Sequence, residues 1–329
     1  MESIVSKGIS EIGEAAWDAL TAGRPFQSYA WYRFGETVMG ADSHPTYVLL
    51  KHDGQLCAGA GFWRVPNEPI PFEGQTVHRA LEAFLRRWPL LICRSPFSGT
   101  PGLVVPPYPL REEALIEITR LGRCLRREEK ASLLTFDSLD VKTARAWPGA
   151  VSYSYGIPGM LLNTKANNFD EYIASLPNKE GRNIRHDLRR IEDQGISVTR
   201  HQTLSVENRS AAERLYRMVE KRKGLERNPW VSPMLANIQL VNGTWLAAQS
   251  AAGEIVGCVT EFEDNGMQML THLGLSETTQ YVYFALLYES IRLGMEHGLH
   301  SYYWGAGTYA VKKRLGFLPI ENDSIAITL

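Results

Sequence analysis

The sequence predicts an α+β protein: two similar modules in tandem, each a mixed, mostly antiparallel sheet flanked by helices. Three observations predict it. Apolar residues recur at helical spacing in some stretches and alternate in others. Each half contains a pair of β-type runs joined by a glycine turn. Each half then continues into a long helical stretch and a further β-type run.

In the first half, Ile9, Ile12, Ala16, Trp17 and Leu20 recur at helical spacing. Residues 25–38 read as a second helix that turns aromatics toward a core. Runs 46–51 and 55–64 are joined by His52-Asp53-Gly54, and an Asp-Gly step between apolar runs signals a tight hairpin. Segments 66–71 and 99–109 are rich in Pro and Gly and read as loops. Stretch 111–130 places Leu115, Ile118, Leu121, Cys124 and Leu125 on one helical face, and 133–137 reads as a strand. Segment 145–158 mixes Pro, Gly and Ser and reads as the crossing between halves. The boundary is expected near Ala150, giving domains 1–150 and 151–329.

In the second half, Asn168-Phe169-Asp170-Glu171 has the form of a capping box for a short helix. Pro177 and Gly195 bracket a second helix whose apolar face is Ile184, Leu188 and Ile191. Another helix covers 211–223. Runs 244–249, 255–263 and 267–275 are linked through Ala252-Gly253 and Asn265-Gly266. A long helix, 279–297, stops at Gly298. A strand, the small-residue turn Gly305-Ala306-Gly307, a basic helix with Lys312, Lys313 and Arg314, and a last strand close the chain.

Composition sets outer limits. The 329 residues are 44% hydrophobic and 22% charged, ordinary for a soluble globular chain with a sizeable core. A net charge of −1 excludes coating nucleic acid through global charge but permits a local basic patch. Cys57, Cys93, Cys124 and Cys258 are scattered, without a CxxC pair or a histidine at metal-ligand spacing. Buried thiols in a reducing compartment, and no metal, are the expectation. No apolar run approaches the roughly 18 residues of a membrane span. The first residues lack the apolar core of a secretory signal. A cytoplasmic monomer or weak dimer with no membrane span is expected.

Candidate chemistry gathers in the second half. Arg182, Arg185 and Arg189 share a helix face flanked by Lys179 and His186, which reads either as a track for phosphates or a carboxylate, or as a solvated face. Lys221, Arg222, Lys223 and Arg227 form a second basic cluster before Asn228-Pro229-Trp230. Such a run ending at an aromatic can grip a nucleotide, although a helix C-terminus also favours cations. Strand alternation puts Glu261 and Glu263 on one face and Thr260 and Phe262 on the other. Glu261 and His272, on neighbouring runs, are candidates to take a proton from an attacking amine. No nucleophile elbow, zinc-protease motif, phosphate-binding P-loop or dinucleotide fingerprint is present.

Several of these stretches resemble the Gcn5-related N-acetyltransferase (GNAT) superfamily, and more narrowly its Fem-type aminoacyltransferases. They are FDEYIASLPNKEGRNIRHDLRRIEDQGISV (169–198), the run from Thr271 through GLHSYYWGAG, and KKRLGF (312–317). The first half fits more loosely, as a divergent first module. The resemblance implies two tandem GNAT modules and acyl transfer to an amine without an enzyme-bound intermediate. It implies backbone N–H groups at a break in a central strand that polarise the reacting carbonyl. It also implies a lysine near the donor ester. Lys312 matches that position, with Lys313 beside it and Tyr303 and Trp304 at the donor end. Coenzyme A-dependent relatives carry a glycine-rich pyrophosphate loop before the long helix. Here the corresponding residues are Gly274-Leu275-Ser276-Glu277-Thr278-Thr279, with one glycine and an acid. The expectation is therefore an enzyme that uses aminoacyl-tRNA as co-substrate, with no bound cofactor. Lys179, Arg182, Arg185, Arg189 and Arg222 would bind the donor, and the acceptor would be the amine of a small molecule or peptide in cell-wall or antibiotic assembly. An acetyl-CoA-dependent N-acetyltransferase and a non-catalytic GNAT-like binding protein are the alternatives.

Overall fold

In the computed structural model, residues 1–40, 43, 45–66, 83–225, 227–276 and 281–328 are described. The expected loop 66–71 falls almost wholly outside them, as do Glu277, Thr278 and Thr279. The chain divides into two compact units, Met1–Pro158 with Glu321–Leu329, and Gly159–Ile320.

The hairpin predicted from the Asp-Gly step organises the first unit. Pro45–His52 (β2) pairs antiparallel with Gln55–Val65 (β3), and Asp53 and Gly54 turn the chain at φ 51° and 78°. Glu2–Ser6 (β1) extends the sheet on one side of β2, and Leu90–Cys93 (β4) on the far side of β3. Leu103–Val104 (β5) adds to β3 within the expected loop 99–109. Leu133–Leu139 (β6) then pairs parallel with β4.

Glu14–Thr21 (α1) and Tyr29–Met39 (α2) precede the hairpin. The Ser28 side chain caps α2 by accepting from Trp31 N–H. Leu110–Glu128 (α3) lays Ala114, Leu115, Ile118 and Leu125 on the core built by Val48, Phe62, Leu134 and Phe136. The expected crossing 145–158 is instead partly regular. Val141–Arg145 (α4), capped by Asp140, is followed by Val151–Ser154 (β7).

The second unit begins with Met160–Asn163 (β8). Phe169–Ser175 (α5) starts with the predicted box: Asn168 Oδ1 accepts from Glu171 N–H at 2.9 Å, and Glu171 accepts from Asn167 N–H at 3.0 Å. In Asn178–Asp193 (α6), Ile184 is buried and Leu188 and Ile191 pack beside it. Ser197–His201 (β9), Val206–Arg222 (α7) and Val231–Asn237 (α8) follow. Next comes the meander Asn242–Gln249 (β10), Ile255–Asp264 (β11) and Met267–Leu275 (β12). Val282–Glu296 (α9) leads to Ser301–Tyr303 (β13), Tyr309–Arg314 (α10) and Leu318–Pro319 (β14). The strand order among described residues is β14-β8-β13-β12-β11-β10-β9, with β12–β13 as the parallel pair. Helices α7 and α9 cover opposite faces: Tyr216 of α7 bonds Thr260, and Ser290 of α9 bonds Glu261, the next residue along β11.

The last strand departs from the expected division at 150. Ser324–Thr328 (β15) leaves the second unit and pairs antiparallel with both β6 and β7. Period-2 patterning announces a strand but carries no information about which sheet receives it. Among the described residues no helix is long and apolar enough to cross a membrane, and no cluster of side chains could hold a metal ion.

Candidate active site

The site is built on a divergence of two parallel strands. β12 pairs with β13 only over Met267–Met269 and Ser301–Tyr303, yet it runs on to Leu275. Its other edge stays paired with β11 as far as Gly257↔Leu275. Residues 270–275 therefore have no strand partner on the β13 side among the described residues. Backbone N–H and C=O groups there must find another partner, and a bound substrate is one.

A β-bulge marks the divergence. Pairing passes from Thr260↔Thr271 to Val259↔Leu273, and His272 is the extra residue, at φ 49°. Its ring is held on both sides: Asn228 Nδ2 lies 3.2 Å from Nε2, and Thr271 Oγ1 lies 2.9 Å from Nδ1. The Asn228 amide is oriented because its Oδ1 accepts from Trp230 N–H at 3.0 Å. Burial lowers the imidazole pKa to about 4, so the ring is neutral at pH 7. Asn228 donating to Nε2 leaves the proton on Nδ1, which donates to Thr271. α7 presses closely here, since a Cβ on Gly274 would stand 2.8 Å from Leu215 and 2.9 Å from Tyr216.

Basic groups border the divergence. Arg222 Nη2 donates to Leu275 O at 3.1 Å, at the end of β12. Lys312 is only 6% exposed. Its ammonium donates to the carbonyls of Trp304, Gly305 (3.0 Å) and Ala306 (3.2 Å), so it ties down the turn that leaves β13. Burial, assisted by the charge of Lys223, lowers its pKa to about 8. Trp304 packs on Phe317 with ring centroids 4.3 Å apart, Tyr303 is half-buried, and Lys313 points to solvent.

Glu261 occupies a different place from the one expected. The register sets it against Leu270, beneath α9, while His272 meets Asn228 and Tyr216 on the α7 face. The expectation that neighbouring strands bring these two residues together is thus corrected: strand alternation and the bulge place them on opposite faces.

Glu261 is 1% exposed, and burial raises its pKa to about 8, with Glu263 and Glu289 adding and Ser290 and Arg200 opposing. The hydrogen bonds agree with a neutral carboxyl. Gln268 Nε2 donates to Ser290 O at 2.9 Å, which turns Gln268 Oε1 toward Ser290 Oγ at 3.2 Å. Ser290 Oγ also lies 2.6 Å from Glu261 Oε2. One hydroxyl proton cannot serve two acceptors. Both contacts are satisfied when Glu261 is protonated and donates to Ser290, which donates to Gln268.

The arginine row of α6 is confirmed as an exposed stripe of Lys179, Arg182, Arg185 and Arg189. Arg182 bonds its own helix at Asn178 O (3.3 Å), and the other three have no hydrogen bond or ion pair among the described residues. Two neighbouring acids of α6 are engaged elsewhere. Glu180 and Asp187 contact Arg314 at 3.3 and 3.7 Å, and Asp187 also accepts from Tyr288 OH at 2.6 Å. Asn228, Thr271 and Ser290, which set the states of His272 and Glu261, were not singled out as site residues from sequence. Asn228 lies in the Asn-Pro-Trp loop after the basic run, and Thr271 and Ser290 lie in the run that carries the family resemblance.

Comparison with known proteins agrees with this architecture. The structure of FemX aligns with a TM-score of 0.66 at 13% identity, covering 99% of this chain and 97% of its own. A tandem GNAT protein from the clavulanic acid biosynthesis pathway gives 0.61 at 13% identity, over 99% and 98%. L-PGS from Bacillus licheniformis gives 0.57 at 12% identity, over 96% and 92%. At such identities the likeness is one of fold, and the fold is that of tandem GNAT-like modules. No curated protein matches the chain by sequence. The family model described as peptidoglycan biosynthesis/recognition matches residues 8–329, and the chain belongs to this FemAB-like family.

Proposed function

We propose that the protein transfers an aminoacyl group from aminoacyl-tRNA to the amine of a small molecule or peptide, in cell-wall or peptide natural-product assembly. Family membership and the tandem fold support an acyltransferase role. The observation that carries the donor assignment is the unbalanced basic row on α6, in the same unit as the diverging strands. Arginine presents a planar fork suited to phosphate, and a row of such groups follows a polyanion.

In this reading the acceptor nitrogen attacks the ester carbonyl beside the bulge. A C–N bond forms and the ester C–O bond breaks. The nitrogen loses a proton, and the ribose oxygen gains one. Backbone N–H groups along 270–275 stabilise the oxyanion. Arg222 and Lys223 face donor phosphates. Lys312 is a positioning residue that holds the 304–306 turn, Lys313 offers its charge to the donor, and Tyr303 and Trp304 shape the donor end. His272 and Asn228 fix the bulge, and Glu261 fixes the packing of α9. An acyl-CoA donor is the second reading, because an exposed strand edge also receives an extended thioester arm by backbone pairing.

Incubation with charged tRNA or acyl-CoA and a panel of amines separates the two. Transfer that requires charged tRNA and is abolished by ribonuclease supports the first. Transfer that survives ribonuclease and needs the thioester supports the second.

A further inference from the structure

We propose that β7 is the seam of a homodimer: a second copy of this chain pairs its own β7 antiparallel to it, about a two-fold axis through Tyr153. The seam lies in the first unit and is independent of the acyl-transfer reading.

β7 ends the path of the first sheet. It pairs with β15 on one side and has no strand partner on the other among the described residues. Edges of this kind are normally blunted by lysine, proline or a bulge within the strand. β7 has none of these, and residues 146–164 carry no charged side chain. Its pattern is also reversed. Ser152 lies opposite Ala326, a member of the core, and shares that face with Ser154. Val151, Tyr153 and Tyr155 take the other face, where they are 74, 57 and 42% exposed. The two tyrosine rings meet edge-on at 5.6 Å.

The hydrogen-bond phase fixes what fits this edge. Tyr155 N–H donates to Asp323 O at 2.9 Å, so Val151, Tyr153 and Tyr155 direct their backbone groups to β15. Ser152 and Ser154 direct theirs to the open side. A second β7 centred on Tyr153 sets Ser152 of each copy opposite Ser154 of the other. Both pairings are of the hydrogen-bonded kind, so every outward group finds a donor or an acceptor. The same register sets Tyr153 against its own counterpart and Val151 against Tyr155. Aromatic and β-branched pairs of this sort stabilise antiparallel strands. A foreign peptide would match the edge through its backbone alone. A second copy matches it in hydrogen bonds and side chains, and a neutral strand meets a neutral strand without repulsion. Such a pairing buries on the order of 1,000 Å² in total, the low end for a specific interface, so the dimer is weak.

Sedimentation velocity from about 1 to about 200 µM is expected to show monomer giving way to dimer. Tyr153→Lys sets like charges opposite each other and is expected to weaken association about tenfold or more. Tyr153→Cys places its thiols in a non-hydrogen-bonded pair with Cα atoms about 4.5 Å apart, within reach of a disulfide. Mild oxidation is expected to cross-link this variant, with wild type and Ile116→Cys, an exposed site on α3, as controls. Circular dichroism verifies the fold of each variant. A wild type that stays monomeric across the range overturns the proposal. So does association that Tyr153→Lys leaves unchanged, or cross-linking of Tyr153→Cys no faster than that of Ile116→Cys. A monomer whose β7 amides gain protection from hydrogen exchange only when a peptide is added has a foreign strand there instead, which also overturns it.

Discussion

In the first unit, β4 is four residues long and pairs with β6 along its whole length. In the second, β12 is nine residues long, and three of them pair with β13. Among the described residues each sheet contains one parallel pair, but the chain treats the space beyond it oppositely. After β4 the first unit folds back on itself. Arg94 bridges Pro101, Gly61 N–H donates to Gly102 O at 2.8 Å, and Ser95 Oγ donates to Phe26 O. Trp31 and Trp63 then seal the segment by donating from their indoles to Pro96 O and Arg94 O at 2.9 and 3.0 Å. After β12 the second unit leaves a bulge, an unpaired strand edge and a border of cations. A polar backbone edge is costly unless something pairs with it. The first unit fills its corresponding space with packing, and in the second, among the described residues, the strand edge stays unpaired, which is where the proposed function seats a ligand.

Four variants would break or sharpen this contrast. The largest effect is expected from Lys312→Ala, which releases the 304–306 turn. Misplacement of a reacting group typically costs on the order of 100-fold, and single-turnover transfer should show a loss of that size in the chemical step. Turnover left intact would remove Lys312 from the site. The matching change in the first unit is Gly102→Ala. Its Cβ would stand 2.3 Å from Arg94 N, backbone that cannot move aside. A loss of about 3 kcal/mol in urea unfolding is expected, with unchanged specific activity of the folded fraction. Altered activity at equal folding would mean that the first unit also serves the reaction.

Smaller effects follow at the periphery. Arg185→Glu with Arg189→Glu should lower kcat/KM for charged tRNA about tenfold at low salt and flatten its salt dependence. Equal slopes for wild type and variant would make the row a solvated face only. Glu261→Gln keeps the shape of the buried network without its titration. A carboxyl raised from 4.5 to about 8 binds its proton more tightly folded than unfolded. Wild-type stability from this group is therefore present below pH 4.5 and is lost as pH rises toward 8. The variant lacks that loss, so it should gain on wild type between pH 5 and pH 8 in parallel urea titrations. A constant difference across that range would show that Glu261 is ionised when folded.

The elements legible in the sequence carry local signals strong enough to act alone. Asp53-Gly54 fixes one hairpin, Asn168 and Glu171 fix one helix start, and the period of Ile184, Leu188 and Ile191 fixes the buried face of α6. β4, the run Leu-Leu-Ile-Cys, is wholly buried and therefore shows no alternation to read. The bulge was hidden because His272 adopts a positive φ without being glycine, a choice imposed by Asn228 and Thr271. The separation of Glu261 from His272 depends on that bulge. The lysine pair of α10 shows the same limit. Successive helical residues point about 100° apart, so Lys312 turns inward to three carbonyls while Lys313 meets water.

The return of β15 has a consequence for how the chain is made. It lies between β6 and β7, in the interior of the first sheet, yet it is translated after the whole second unit. The place beside β6 can therefore be filled only after the second unit has been translated. A gene fragment ending at residue 158 would encode a sheet with a missing inner strand, whereas 159–320 contains every strand of its own sheet.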